Sequence, residues 1–140
     1  MTTHALDCTW SSKMAFTVDL DGRQLALDAG PSAGGEGNGF RPKPLLLAAL
    51  AGCTGMDVVT ILAKMRQPLA HFRVHVEGDL TDATPATYGA MRVIYELSRA
   101  DGLDPAKVER AVQLSKEKYC GVSAMLKHAS DIHFEIRWVD

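Results

Sequence analysis

Apolar and polar residues alternate with period two from Ala5 to Asp28, with Leu6, Cys8 and Trp10, then Met14, Phe16, Val18 and Leu20, then Leu25 and Leu27 on one side. Such alternation predicts three strands, the second and third joined by the turn dipeptide Asp21-Gly22 into an antiparallel hairpin. Their other face, with Lys13, Thr17, Asp19, Gln24 and Asp28, is expected to be wet. Ala29 to Arg41 then holds five glycines and a proline in thirteen residues, which predicts a mobile loop. It lacks both the dinucleotide fingerprint and the lysine ending of a phosphate loop.

The pattern changes at Pro44. From there to Gln67 the chain is apolar around the whole helical circumference, interrupted by Asp57 and closed by Lys64 and Arg66 before Pro68, which predicts one long central helix over residues 44–67. Cys53 stands between Gly52 and Gly55, and glycines at these helical positions predict a close approach of backbone or ligand to the thiol. Residues 72–140 add two strands (Phe72, Val74, Val76; Met91, Val93, Tyr95, Leu97) and a helix starting at Asp104-Pro105. The inner stripe of that helix is Val108, Ala111, Val112, Ser115 and Tyr119. A short helix, Val122 to His128, and a closing strand of Ile132, Phe134, Ile136 and Trp138 complete the order βββ-α-ββ-α-α-β. Without βαβ alternation this is an α+β fold of mainly antiparallel sheet. A sheet covers one side of a helix, so a helix apolar all round predicts a two-fold dimer enclosing two such helices.

At 140 residues, 46% hydrophobic and 23% charged with net charge −2, the chain reads as a single domain over residues 1–140 with neither a nucleic-acid footprint nor disorder. The longest unbroken apolar run, Leu45 to Gly52, is short for a membrane span, and MTTHALDC is no signal peptide. Cytoplasmic residence is the expectation. Three cysteines argue for reduced thiols over a disulfide framework. Cys8 alternates with strand residues and is expected to pack as a core residue. Cys120 precedes a predicted helix, whose free N–H groups favour a thiolate, whereas Asp57, four residues after Cys53, opposes ionisation there. Activation of Cys53 therefore calls for a cation from elsewhere, the candidates being Lys13, Arg23, Arg41 and Lys43. His4, His71, His75, His128 and His133 form no metal-ligand spacing with each other or with Cys8, so neither metal nor cofactor is expected.

The stretches GCTGMDVVTILAKMR and SKEKYCGVSAML carry a resemblance to the OsmC/Ohr family, the osmotically inducible and organic hydroperoxide resistance proteins, and within it to a small OsmC-like subgroup. The resemblance runs from Trp10 through the last strand. It implies an intertwined homodimer and a thiol peroxidase for organic hydroperoxides, with Cys53 as attacking thiolate, Cys120 as resolving thiol and an external dithiol as reductant. It also implies a glutamate near the start of the central helix, paired with an arginine. Here that region reads Arg41-Pro42-Lys43-Pro44 without a carboxylate, and Lys43 or Glu36 of the glycine loop are the substitutes at hand. The missing glutamate and the apolar helix leave a second reading open: a non-enzymatic dimer that binds small molecules or acyl chains.

Overall fold

Strong turn chemistry sets the first part of the chain. The computed structural model describes residues 1–140. Strands β1 (Asp7–Ser12), β2 (Ala15–Leu20) and β3 (Arg23–Leu27) form an antiparallel meander in the order β1-β2-β3. Asp21 and Gly22 both take positive φ, 51° and 73°, as a tight hairpin with right-handed strand twist requires. Trp10 pairs with Phe16 across β1 and β2, and its indole N–H donates to Lys13 O at 2.7 Å.

The glycine-rich segment is tied down rather than loose, and Asp28 is the reason. Expected on the wet face, Asp28 is 4% exposed and accepts from the N–H groups of Ala29 (2.7 Å), Asn38 (3.1 Å) and Glu36 (3.4 Å). The strand ends one residue earlier, so the carboxylate turns into the loop, where these donors hold it below the usual carboxylate pKa. The loop closes with Phe40 beside Leu27. At Gly35 a Cβ would lie 1.9 Å from Ala29 O, so only glycine fits that closure. Cys8, expected in a core, is exposed, as are its neighbours along β1.

The chain divides into two compact units, Met1–Leu46, just described, and Leu47–Asp140. The second unit holds most of helix α1 (Pro44–Lys64), then β4 (Phe72–Leu80), β5 (Tyr88–Leu97), α2 (Pro105–Leu114), a π-turn over Ser115–Tyr119, α3 (Gly121–Leu126) and β6 (Asp131–Trp138). Its sheet runs β4-β5-β6. The six strands thus make two three-stranded sheets, and the expectation of antiparallel pairing fails at one place: β6 lies parallel to β5. The long excursion through α2 and α3 supplies the crossover that a parallel pair needs.

One face of this second sheet carries Phe72, Val74, Met91, Val93, Tyr95, Leu97, Phe134 and Ile136, which pack with Leu50, Val58 and Leu62 of α1 and Val108, Ala111 and Val112 of α2. The other carries ion pairs, among them Arg92 with Glu77 and Asp79, and Arg73 and Arg137 with Glu96. Asp104 caps α2 by accepting from Ala106 N–H at 3.0 Å, with Pro105 at the first helical position, as the sequence indicates. Helix α1 runs 21 residues and contains an 18-residue stretch of mean hydropathy 2.0, so it is long and apolar enough to cross a bilayer even though its longest unbroken apolar run is short. Its Leu50, Thr54, Gly55, Val58 and Leu62 instead face the core. Burial is one-sided: Met56 is 73% and Val59 46% exposed. Gly55 explains the close packing, since a Cβ there would come within 3.3 Å of Val74; Gly52 faces open space, so its predicted close contact is not made within this chain.

Candidate active site

Cys53 and Asp57 are four residues apart on α1, which sets their side chains on one face a turn apart. Cys120 reaches that face from the crossover. The chain leaves α2 through the π-turn, whose last bond is Cys120 N–H to Ser115 O at 2.8 Å, and Cys120 then caps α3 in extended backbone, φ −79° and ψ 101°. Its sulfur takes the place of the usual capping oxygen, accepting from Ser123 N–H at 3.4 Å, while Ser123 Oγ donates to Cys120 O at 3.1 Å. The outcome is convergence: the sulfurs of Cys53 and Cys120 and a carboxylate oxygen of Asp57 all lie within 4.8 Å of one another. Cys120 is 3% exposed, and Cys53 and Asp57 are half-buried. All three cysteines are free thiols.

Burial pushes the Cys53 thiol above its ordinary pKa, and the neighbouring Cys120 and the Asp57 charge push the same way, with the Val122 N–H pulling it down. The sequence argument that Asp57 opposes ionisation of Cys53 is thereby met. The four candidate cations all belong to the Met1–Leu46 unit: Lys13 pairs with Glu36 at 3.7 Å, Arg23 lies on β3, and Arg41 and Lys43 precede α1.

A buried chain of hydroxyls stands behind Asp57. Ser115 Oγ donates to Asp57 Oδ2 at 2.8 Å, Thr54 Oγ1 lies 3.0 Å from Ser115 Oγ, and Tyr95 Oη bonds Thr54 Oγ1. Each hydroxyl has one proton, so once Ser115 gives its own to the carboxylate, Thr54 must donate to Ser115 and Tyr95 to Thr54. Every proton in the chain therefore points toward Asp57. Burial also raises the Tyr95 phenol to about 12, keeping it protonated as the first donor. This network was not foreseen. Its one sequence signal is Ser115, a polar residue at an inward position of the α2 stripe. Tyr119, expected on that same stripe, is 53% exposed because the π-turn carries an extra residue and shifts the helical phase.

A cavity of about 430 Å³ opens beside this carboxylate, lined by Asp57, Thr60, Ile61, Lys64, Met65, Leu114 and Tyr119. It offers apolar walls, one cation and one anion. As for metals, Cys53, Asp57 and Cys120 are side chains of metal-binding type that sequence spacing does not link and the fold brings together.

Residues 35–135 match the family model described as OsmC-like protein. Protein YhfA of Escherichia coli strain K12 is 34% identical over 126 residues, 88% of this chain and 89% of that protein. A hypothetical protein from Aquifex aeolicus VF5 superposes with a TM-score of 0.85 at 26% identity over the whole of both chains. An organic hydroperoxide resistance protein OsmC from Legionella pneumophila shares the fold, with a TM-score of 0.73 at 17% identity over 97% of each chain.

Proposed function

The chain belongs to the OsmC family, and from that membership we propose that it is a thiol-dependent peroxidase reducing organic hydroperoxides to alcohols. The observation that carries the reading is the meeting of the two sulfurs and the Asp57 carboxylate within 4.8 Å. Cys53, the more accessible thiol, attacks the outer peroxide oxygen. Asp57 takes the thiol proton and returns it to the departing alkoxide, so that the O–O bond breaks to give the alcohol and a Cys53 sulfenic acid. Cys120 then attacks Cys53; its proton leaves with the hydroxyl as water, and the disulfide forms. An external dithiol reduces this by exchange and is itself oxidised. In this scheme Asp57 replaces the glutamate that the Arg41–Pro44 stretch lacks, and the cavity beside it receives the organic part of the peroxide. The reduced thiols suit a cytoplasmic setting.

Adding one equivalent of cumene hydroperoxide to reduced, chelator-treated protein tests this. Loss of both Cys53 and Cys120 thiols with a new intramolecular disulfide is expected, and C120S should hold a sulfenic acid that dimedone labels. Thiols that stay free at micromolar peroxide overturn the reading.

The cavity also favours a second reading, a binding protein for acyl chains, since Ile61, Met65 and Leu114 line it with Lys64 beside them. Fatty-acid binding that survives Cys53→Ser, with inert thiols, would select it. Either reading is completed by a homodimer. It is supported by the apolar face of α1 at Met56 and Val59 and by the exposed Trp10, Phe16 and Phe40 of the first unit.

A further inference from the structure

We propose that the reduced Cys53–Cys120 pair, together with Asp57, is a binding site for a thiophilic divalent cation of the Zn²⁺ class. Two sulfurs and a carboxylate oxygen are a donor set such cations favour. Zn–S bonds of about 2.3 Å at a tetrahedral angle bring two sulfurs to ~3.8 Å of each other, so donors already within 4.8 Å need only a small inward movement. Two of the three donors come from adjacent turns of one helix and the third from a residue fixed as the cap of another, so the backbone needs no rearrangement.

The surroundings are those of a supported metal site. Ser115 Oγ fixes the Asp57 carboxylate through Oδ2, and Ser115 is itself held by Thr54 and Tyr95. Partners of this kind orient metal ligands and raise their affinity. The Ser123 N–H donates to the Cys120 sulfur at 3.4 Å, where it spreads thiolate charge. Two thiolates beside a carboxylate would repel one another, and a divalent cation neutralises that repulsion. Three protein donors leave a coordination position open to water or an exchangeable ligand.

Binding replaces the two thiol protons, which pass to solvent, so each cation taken up releases two protons. The cation and the disulfide exclude each other. An organic hydroperoxide that oxidises the bound thiolates consumes two protons, yields the disulfide, the alcohol and water, and frees the cation. Uptake needs only the reduced thiols and stands apart from the peroxidase reading; release by peroxide joins the two.

The test is titration of reduced, chelator-stripped, anaerobic protein with Co²⁺. A thiolate-to-cobalt charge-transfer band and visible bands of tetrahedral intensity should saturate at one Co²⁺ per chain, be abolished by Zn²⁺, and be absent from the disulfide form. An indicator dye should report two protons released per Zn²⁺. C53S and C120S should each lose tight binding, and Ser115→Ala should weaken it about 10-fold, the scale for a group that orients a ligand. Should the cysteine variants fail to fold, Zn²⁺ protection of Cys53 and Cys120 from alkylation in the unaltered chain, mapped by mass spectrometry, supplies the same answer. A weak octahedral cobalt spectrum, unprotected thiols, or a band undiminished in C120S overturns the proposal. The peroxidase reading is judged separately, by disulfide formation in chelator.

Discussion

Ser115 Oγ donates to Asp57 Oδ2 at 2.8 Å across 58 residues of sequence, joining the start of the π-turn to the carboxylate beside Cys53. Through Thr54 and Tyr95 the same hydroxyl is anchored to the centre of the second sheet, so the position of Asp57 depends on residues that never touch a sulfur.

Removing the middle of this chain should cost more than removing its end. Thr54→Val leaves both the Tyr95 hydroxyl and an acceptor site on Ser115 unpaired in the core, a loss of about 1–3 kcal/mol. Tyr95→Phe removes only the first donor and should cost about 0.5–1.5 kcal/mol. Urea unfolding of the two variants gives the order, and a reversed order would contradict the assigned proton direction.

The reactivity of Cys53 should rise with pH through a pKa above the ordinary thiol value, chiefly because of burial and then because of Cys120 and Asp57. Asp57→Asn removes a negative charge, so the rate profile for iodoacetamide should move to lower pH while peroxide turnover falls for want of a proton acceptor. Both rates moving in the same direction would deny Asp57 that role.

His71 and Asp101 link the start of β4 to the turn before α2, with Nδ1 to Oδ1 at 2.9 Å and a second bond from His71 N–H to Oδ2 at 2.8 Å. The Asp101 hydrogen bond raises the His71 pKa, so its share of stability is complete below the unfolded value of about 6.5 and is lost as pH rises through the folded value. Asp101 is lowered, first by His71, so its share is present above about 3.9 and lost as pH falls through the folded value. Stability measured against pH should therefore show a greater fall as pH rises above about 6.5 in the native chain than in His71→Gln.

Sedimentation should give twice the chain mass of 15.1 kDa. Val59→Glu, which puts a charge on the apolar outer face of α1, should shift it to the single-chain value with the second unit still folded by circular dichroism. A native chain that sediments as a monomer would remove the dimer from the functional reading.

Much of the fold was legible because its signals are local. Asp21-Gly22 and Asp104-Pro105 act through their own backbone preferences, and the alternation in β4 and β5 reports a sheet with one apolar face. The parallel partner of β6 was not legible, since strand direction is settled by where the α2–α3 crossover returns the chain. Asp28 was misassigned by extending strand parity one residue past the end of β3, and Tyr119 by extending helical phase through the π-turn. In the site, the pairing of Cys53 with Cys120 followed from the family motifs. The opposition of Asp57 followed from helical spacing. Thr54, Ser115 and Tyr95 stayed hidden because nothing local marks which polar residues, far apart in sequence, will face each other.

The parallel pairing of β6 with β5 also carries a cost in chain entropy. Residues 98–130 must loop back before the two strands can join, at an entropic cost of about 3 kcal/mol for a loop of that length, and contacts so distant in sequence form slowly. Cys120 lies inside that loop and Cys53 outside it. The dithiol is therefore a property of the folded chain alone: 67 residues separate Cys53 from Cys120 (120 − 53), and it is the fold of the second unit that brings their sulfurs together.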